Sequence, residues 1–206
     1  MNRLIRSLPL LMVLLAAGFL LSGCAGLSLK PKPDATRFYV LEPSLPPTHT
    51  VGDLTMGMER INLPEYLQDS RIVVRESAHE IRYAEHHRWS ERLDRAVSRF
   101  LMGTIPTQSP VSRVKPAPWA DPHHIDYILS LSIHRMEGHR DGTIRLDASW
   151  ELRHPREGMV LHAEQFSHQE SGWDGKQDYA TLAAALSHAI EQLGHAIGEH
   201  LQSNLR

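Results

Sequence analysis

One cysteine, Cys24, stands in the 206 residues of this chain, and its isolation rules out any disulfide within the fold. Whatever folds here is held by an apolar core alone. No apolar run after Leu21 approaches the roughly 20 residues that a membrane-crossing helix needs. An excess of basic residues is missing too, because the formal net charge is −2, which excludes a broad nucleic-acid-binding surface. There is no glycine-rich phosphate loop, no Gly-x-Ser-x-Gly elbow and no His-Glu-x-x-His pair. The nearest approach to the last, His79-Glu80-Ile81-Arg82-Tyr83, ends on the wrong residue.

What is present begins with an export leader. Arg3 and Arg6 precede an apolar stretch from Leu8 to Leu21, broken only by Pro9 and Gly18, and Leu21-Ser22-Gly23-Cys24 matches a lipobox. The reading is a signal peptide over 1–23, a diacylated Cys24 with a tether over 24–35, and a folded domain over 36–206. Leu29-Lys30-Pro31-Lys32-Pro33-Asp34 suits a tether, since alternating prolines oppose regular structure. Loss of the leader removes Arg3 and Arg6, which takes the charge from −2 to −4 and leaves 183 of 206 residues. That length makes one domain with a sizeable core. An acyl anchor holds a protein at a membrane surface without spanning it. Ala25 is not the aspartate that retains lipoproteins in the inner membrane, so the expected location is the outer membrane, lipid-anchored and facing the periplasm.

Local patterns predict an α+β fold: a mostly antiparallel β-sheet with two amphipathic helices packed on one face. Thr36 to Leu41 reads as a first strand, and a loop with Pro43, Pro46 and Pro47 follows. Leu54, Met56 and Met58 alternate with small or polar neighbours as a second strand, closed by a turn at Leu63-Pro64-Glu65-Tyr66-Leu67. Arg71 to Glu76 and Glu80 to Ala84 form a hairpin around Ser77-Ala78-His79. The first helix is expected over Trp89 to Met102, stopped by Gly103 and Pro106. The clearest signal is the hairpin from Ile125 to Arg153, turning at Asp141-Gly142. A third strand from about Met159 to His168 and a long helix from Gln177 to Gln202, striped by Leu182, Leu186, Ile190, Leu193, Ile197 and Leu201, complete the chain.

Fourteen histidines invite a metal reading. His188, His195 and Glu199 share one side of the last helix, but His188 and His195 lie two turns apart, too far for one ion. His86-His87 and His123-His124 are adjacent pairs whose members point apart in a strand, and they read as loop or strand-end residues. The expectation is no metal, no cofactor and no catalytic residue. A hydrolase whose serine, histidine and aspartate are scattered along the chain stays open at this point. So does a structural envelope lipoprotein that binds peptidoglycan or an assembly machine. Met56, Met58, Leu63, Pro64, Tyr66 and Leu67 crowd one turn; they either fold beneath the sheet or offer a docking edge. Arg88 and Trp89 raise the same choice.

The chain also resembles a known family. Ile61-Asn62-Leu63-Pro64-Glu65-Tyr66-Leu67, then Ile72-Val73, then Arg88-Trp89-Ser90-Glu91-Arg92-Leu93-Asp94 is similar to the signature of the PqiC/YmbA-type lipoproteins, the auxiliary components of ABC-type transport systems. Phe38-Tyr39-Val40-Leu41, the Asp141-Gly142 hairpin carrying Trp150, and the closing Tyr179-to-Leu201 helix fall in that family's order. The likeness runs from about Arg37 to the end. It departs at Gln68-Asp69-Ser70 and in the proline-rich segment from Gln108 to His124. The resemblance implies a non-enzymatic subunit that acts with an MCE-domain protein, an inner-membrane permease and an ATPase. Such systems move lipid and maintain envelope integrity. The apolar turn and its neighbour make Leu63, Pro64, Tyr66, Leu67, Arg88 and Trp89 the partner-binding candidates, and unpaired strand edges leave room for a homo-oligomer.

Overall fold

The computed structural model describes residues 34–44 and 52–205. The leader, Cys24, the tether as far as Pro33, and Pro46 and Pro47 of the first loop lie outside the described residues. Along the described chain the elements are β1 (Arg37–Tyr39), β2 (Leu54–Met58), β3 (Arg71–Ser77), β4 (Glu80–Trp89) and α1 (Leu93–Thr104). There follow β5 (Val111–Pro116), β6 (Tyr127–His139), β7 (Thr143–Arg153), β8 (Val160–Ser171) and α2 (Tyr179–Asn204). The fold is α+β, as the patterns predict.

The β6–β7–β8 meander supplies the longest ladders, all antiparallel. Its first turn is the one expected at Asp141-Gly142: Gly142 takes a φ of 88°, which a side chain would resist. The free edge of β6 is shared by three segments in turn, each running parallel to it. Met56–Met58 of β2 pair with Tyr127–Leu129, Asn62 bridges to Ser132, and Val74 and Arg75 of β3 pair with Gly138 and His139. The turn containing Leu63 to Leu67 is the excursion between those contacts. Strand β4 pairs antiparallel with β3, while β1 adds parallel to β4 and β5 parallel to β2. The sheet is therefore antiparallel along its long ladders and parallel in four short ones.

Alternation along β7 buries Ile144, Leu146, Ala148, Trp150 and Leu152. On β6 the buried series starts as Leu129, Leu131 and Ile133, then changes phase to Met136 and Gly138. The register shift between Ile133 and Arg135 marks a bulge with His134 as the extra residue. Past it, Arg135, Glu137 and His139 stand on the face away from the core. The stripe of α2, from Leu182 to Leu201, is buried in the same core as the inward residues of β6 and β7 and the Leu93, Val97, Phe100 and Leu101 face of α1. The start of α2 is capped by Asp178, whose carboxylate accepts from the Thr181 amide at 3.1 Å.

Four boundaries differ from expectation. Trp89 ends β4 instead of opening α1: it lies opposite Tyr39 in the ladder, and its amide donates to the Ser70 carbonyl at 2.7 Å. The helix begins only at Leu93. Gly103 lies inside α1, which runs to Thr104 and tightens into a short 3-10 segment, Ile105–Gln108, with Pro106 in its first positions. His86 and His87 lie within β4, which continues past Ala84. Strand β5 had no sequence signal. Its only fully buried residue is Val111, and proline is tolerated because the strand sits at the sheet edge.

Candidate docking groove

The segments separated in sequence, Ile61–Leu67 and Arg88–Asp94, meet in space. The turn folds as a single 3-10 turn over Glu65–Leu67, and Gln68 closes it by donating its side-chain amide to the Leu63 carbonyl at 3.1 Å. Ser70, just beyond, accepts from the Trp89 amide through its carbonyl and from Arg88 through its hydroxyl at 3.0 Å. The end of β4 is thereby fastened to the turn. Between the turn and the start of α1 lies a cleft of ≈ 250 Å³ lined by Arg60, Ile61, Asn62, Leu63, Gln68, Arg92, Leu93 and Asp94. Sharing Arg60, Ile61, Arg92 and Asp94, a second cleft of ≈ 400 Å³ extends it past Met58, Arg95, Ser98 and Met102 to Pro116 and Pro118.

The charges of this groove are unequal in freedom. Asp94 is 9% exposed and accepts from Nε and Nη2 of the Arg92 guanidinium, each at 3.0 Å. That grip holds its carboxyl below the usual aspartate value against the opposing effect of burial. Glu59 is paired with Arg153 at 2.6 Å. Arg60 and Arg95, both exposed, have no ion-pair partner among the described residues. The groove thus combines an apolar floor of Met58, Ile61, Leu63 and Met102 with a positive rim. Arginine and methionine of this kind are enriched in protein interfaces.

The six sequence-predicted contact residues separate by burial. Leu63, Leu67 and Trp89 are core residues, and of these only Leu63 also lines the groove. Pro64, Tyr66 and Arg88 are half-buried. Tyr66 reaches over the outer face of the sheet, donating to the His134 carbonyl at 3.3 Å. Its phenol is pushed up to about 12, first by burial and then by the neighbouring Glu137 carboxylate. Glu137 itself is 0% exposed, and Arg75 holds it with two hydrogen bonds at 2.7 and 3.1 Å. Beside this pair an open cleft of ≈ 610 Å³ carries Arg75, Arg135 and Arg140. Their charge is consumed internally, since Arg140 pairs with Glu76 and Arg135 approaches Glu137 and Asp147. The arginines of the larger cleft thus each have a carboxylate partner, whereas Arg60 and Arg95 of the smaller groove have no ion pair among the described residues. The sequence-based candidates passed over Arg60 and Arg95. Helical spacing alone puts Arg95 with Glu91 and Arg99 on the polar face of the first helix, and nothing in the sequence brings Arg60 beside it.

A serine–histidine contact also occurs, Ser149 Oγ lying 2.8 Å from His134 Nε2. It joins exposed cross-strand positions, open to water, where neither group gains the desolvation that nucleophilic catalysis uses. No described helix is long and apolar enough to cross a membrane.

The chain belongs to the family of ABC-type transport auxiliary lipoprotein components, whose sequence profile matches residues 39–198. It is thus a transport-associated auxiliary protein of the lipoprotein class. Among solved structures, protein XCC0632 from Xanthomonas campestris is 15% identical with a TM-score of 0.68, covering 82% of this chain and 95% of that one. An uncharacterized protein is 19% identical with a TM-score of 0.66, covering 81% and 98%. The PelC dodecamer from Paraburkholderia phytofirmans is 17% identical with a TM-score of 0.45, covering 77% and 94%. No curated protein matches the sequence.

Proposed function

We propose that this protein is the non-enzymatic auxiliary subunit of an MCE-linked ABC-type lipid transport system that maintains envelope integrity. In this reading Cys24 anchors it in the outer membrane, and the domain faces the periplasm. ATP hydrolysis and permeation belong to its inner-membrane partners. The groove between the Leu63–Leu67 turn and α1 receives the MCE protein, with Pro64, Tyr66 and Arg88 at its margin. The supporting observation is the convergence of the two segments that carry the family resemblance on one groove, where Arg60 and Arg95 make no ion pair among the described residues. A lipid tether favours such docking by raising local concentration, with no added contact.

Reversing the rim tests this. The double variant Arg60→Glu/Arg95→Glu alters two exposed side chains that make no ion pair within 4 Å among the described residues, and circular dichroism checks that its fold persists. In cells lacking the native gene it should fail to restore detergent resistance, while Lys176→Glu, exposed and remote from the groove residues in sequence, restores it. Full rescue by the rim variant would remove the groove from the account.

A further inference from the structure

The helix-facing side of an edge strand ought to be apolar, yet on β8 it is not. His162, Glu164, Phe166, His168 and Glu170 lie opposite the inward-facing Leu152, Trp150, Ala148, Leu146 and Ile144 of β7. Four of these five β8 residues are ionisable. They meet the polar flank of α2, and they do so in a repeated arrangement. A His-x-Glu pair on the strand joins one helix histidine twice: His162 and Glu164 with His200, and His168 and Glu170 with His188. The repeat follows from geometry. Six strand residues advance about 20 Å, twelve helix residues about 18 Å, and the two elements run in opposite directions, so both triads come into register.

We propose that His168, Glu170 and His188 form a binding site for a divalent transition-metal ion of the Zn²⁺ class. One carboxylate oxygen, Glu170 Oε2, is shared by both rings, 3.2 Å from His168 Nε2 and 2.7 Å from His188 Nδ1. All three donor atoms lie within 4.8 Å of one another. In the metal-free protein each ring must turn an N–H toward the same oxygen. A single cation replaces both hydrogens and draws the three donors to about 2.0–2.2 Å of itself, the ordinary range for zinc with imidazole and carboxylate. His188 is the most exposed of the three and can make the adjustment. The far nitrogen of His188 has its own partner, since Gln192 Nε2 lies 3.1 Å from His188 Nε2. When Nδ1 binds metal, Nε2 carries the proton. A rotated Gln192 amide then accepts from it, the outer-shell support that fixes a ligating imidazole. Two histidines and a carboxylate leave the fourth position open to water or to a donor from a partner. The other triad has a more exposed carboxylate, and its two rings crowd each other with centroids 3.6 Å apart and planes tilted by 32°, so the His168 site is the better prepared.

This site was hidden from the sequence because a helix examined alone offers His188 and His195, which do not share an ion. Its partners come from β8, eighteen and twenty residues earlier.

The test is a Co²⁺ titration of the full-length chain, purified in detergent without a histidine tag, stripped with EDTA and desalted, followed by visible absorption and Zn²⁺ competition. Binding of Co²⁺, displaced by Zn²⁺, is expected. His168→Gln and His188→Gln should each weaken it by at least about tenfold, Gln192→Ala by about tenfold, and His200→Gln should leave it unchanged. Glu170→Gln serves if a histidine variant fails to fold, and circular dichroism in EDTA reports folding. No metal binding overturns the proposal. So does binding that survives His168→Gln and His188→Gln, including binding lost only in His200→Gln, which would place the ion at the other triad.

Discussion

Glu137 shows how a single residue is committed. Its carboxylate is buried, so its stability rests on Arg75, with Arg135 and His139 at 3.7 and 4.0 Å. Removing one member of a buried pair leaves the other's charge uncompensated, at a cost of about 3–5 kcal/mol. Glu137→Ala should lose stability of that order in urea unfolding, and a loss under 1 kcal/mol would show the pair to be solvated. His87 sets a pH dependence. Its ring stacks on Tyr179 at 3.9 Å, Nδ1 lies 2.7 Å from the Tyr39 hydroxyl, and burial, with Arg37 and His86 nearby, holds its pKa below 6.5. The unfolded chain then binds a proton that the folded chain resists. The stabilisation is present above pH 6.5 and is lost as the pH falls through the lower folded value. Between pH 7 and 5 the melting temperature should fall more steeply for the native protein than for His87→Gln; parallel slopes would contradict this. Neither role was legible in the sequence. Glu137 sits in an alternating strand where it reads as solvent-facing, and His87 reads as half of an ordinary polar pair.

At the scale of elements, period and turn chemistry carried the reading far. The β6–β7 hairpin and α2 emerge from the 2.0- and 3.6-residue patterns because their apolar stripes are long and uninterrupted. Trp89 was misread because an aromatic residue ahead of a helical stripe fits a helix start and a strand end equally well. Only the pairing of β4 with β1 decides between them. The His134 bulge was invisible for a related reason: one inserted residue shifts the phase, and Met136 and Gly138 resume a plausible alternation. The bulge is nevertheless what turns Arg135, Glu137 and His139 away from the core. Deleting His134 would leave Ile133 opposite Ala148 and Arg135 opposite Asp147 in consecutive register, so alternation would run unbroken with Met136 inward and Arg135 and Glu137 still outward. That deletion should therefore retain cooperative unfolding, as should His134→Ala, which keeps the residue count. Loss of cooperative unfolding in the deletion protein alone would contradict His134 as the extra residue.

For the molecule as a whole, the class of fold was legible from element order, and the family from the order and spacing of its motifs. The groove was not, because proximity of Ile61–Leu67 to Arg92–Asp94 depends on Ser70 fastening β4 to the turn. On the outer face Arg75, Arg135 and Arg140 are each engaged by a carboxylate, while Arg60 and Arg95 at the groove have no ion pair among the described residues. Site-specific photo-crosslinking in intact cells tests docking at the groove most directly, with a photoreactive residue placed at Arg60 or Arg95 and, as controls, at the exposed Glu85 and Lys176. The account predicts an adduct with the MCE-domain protein from the two groove positions and none from the controls. Adducts from the controls alone, or no MCE adduct from either groove position, would contradict it.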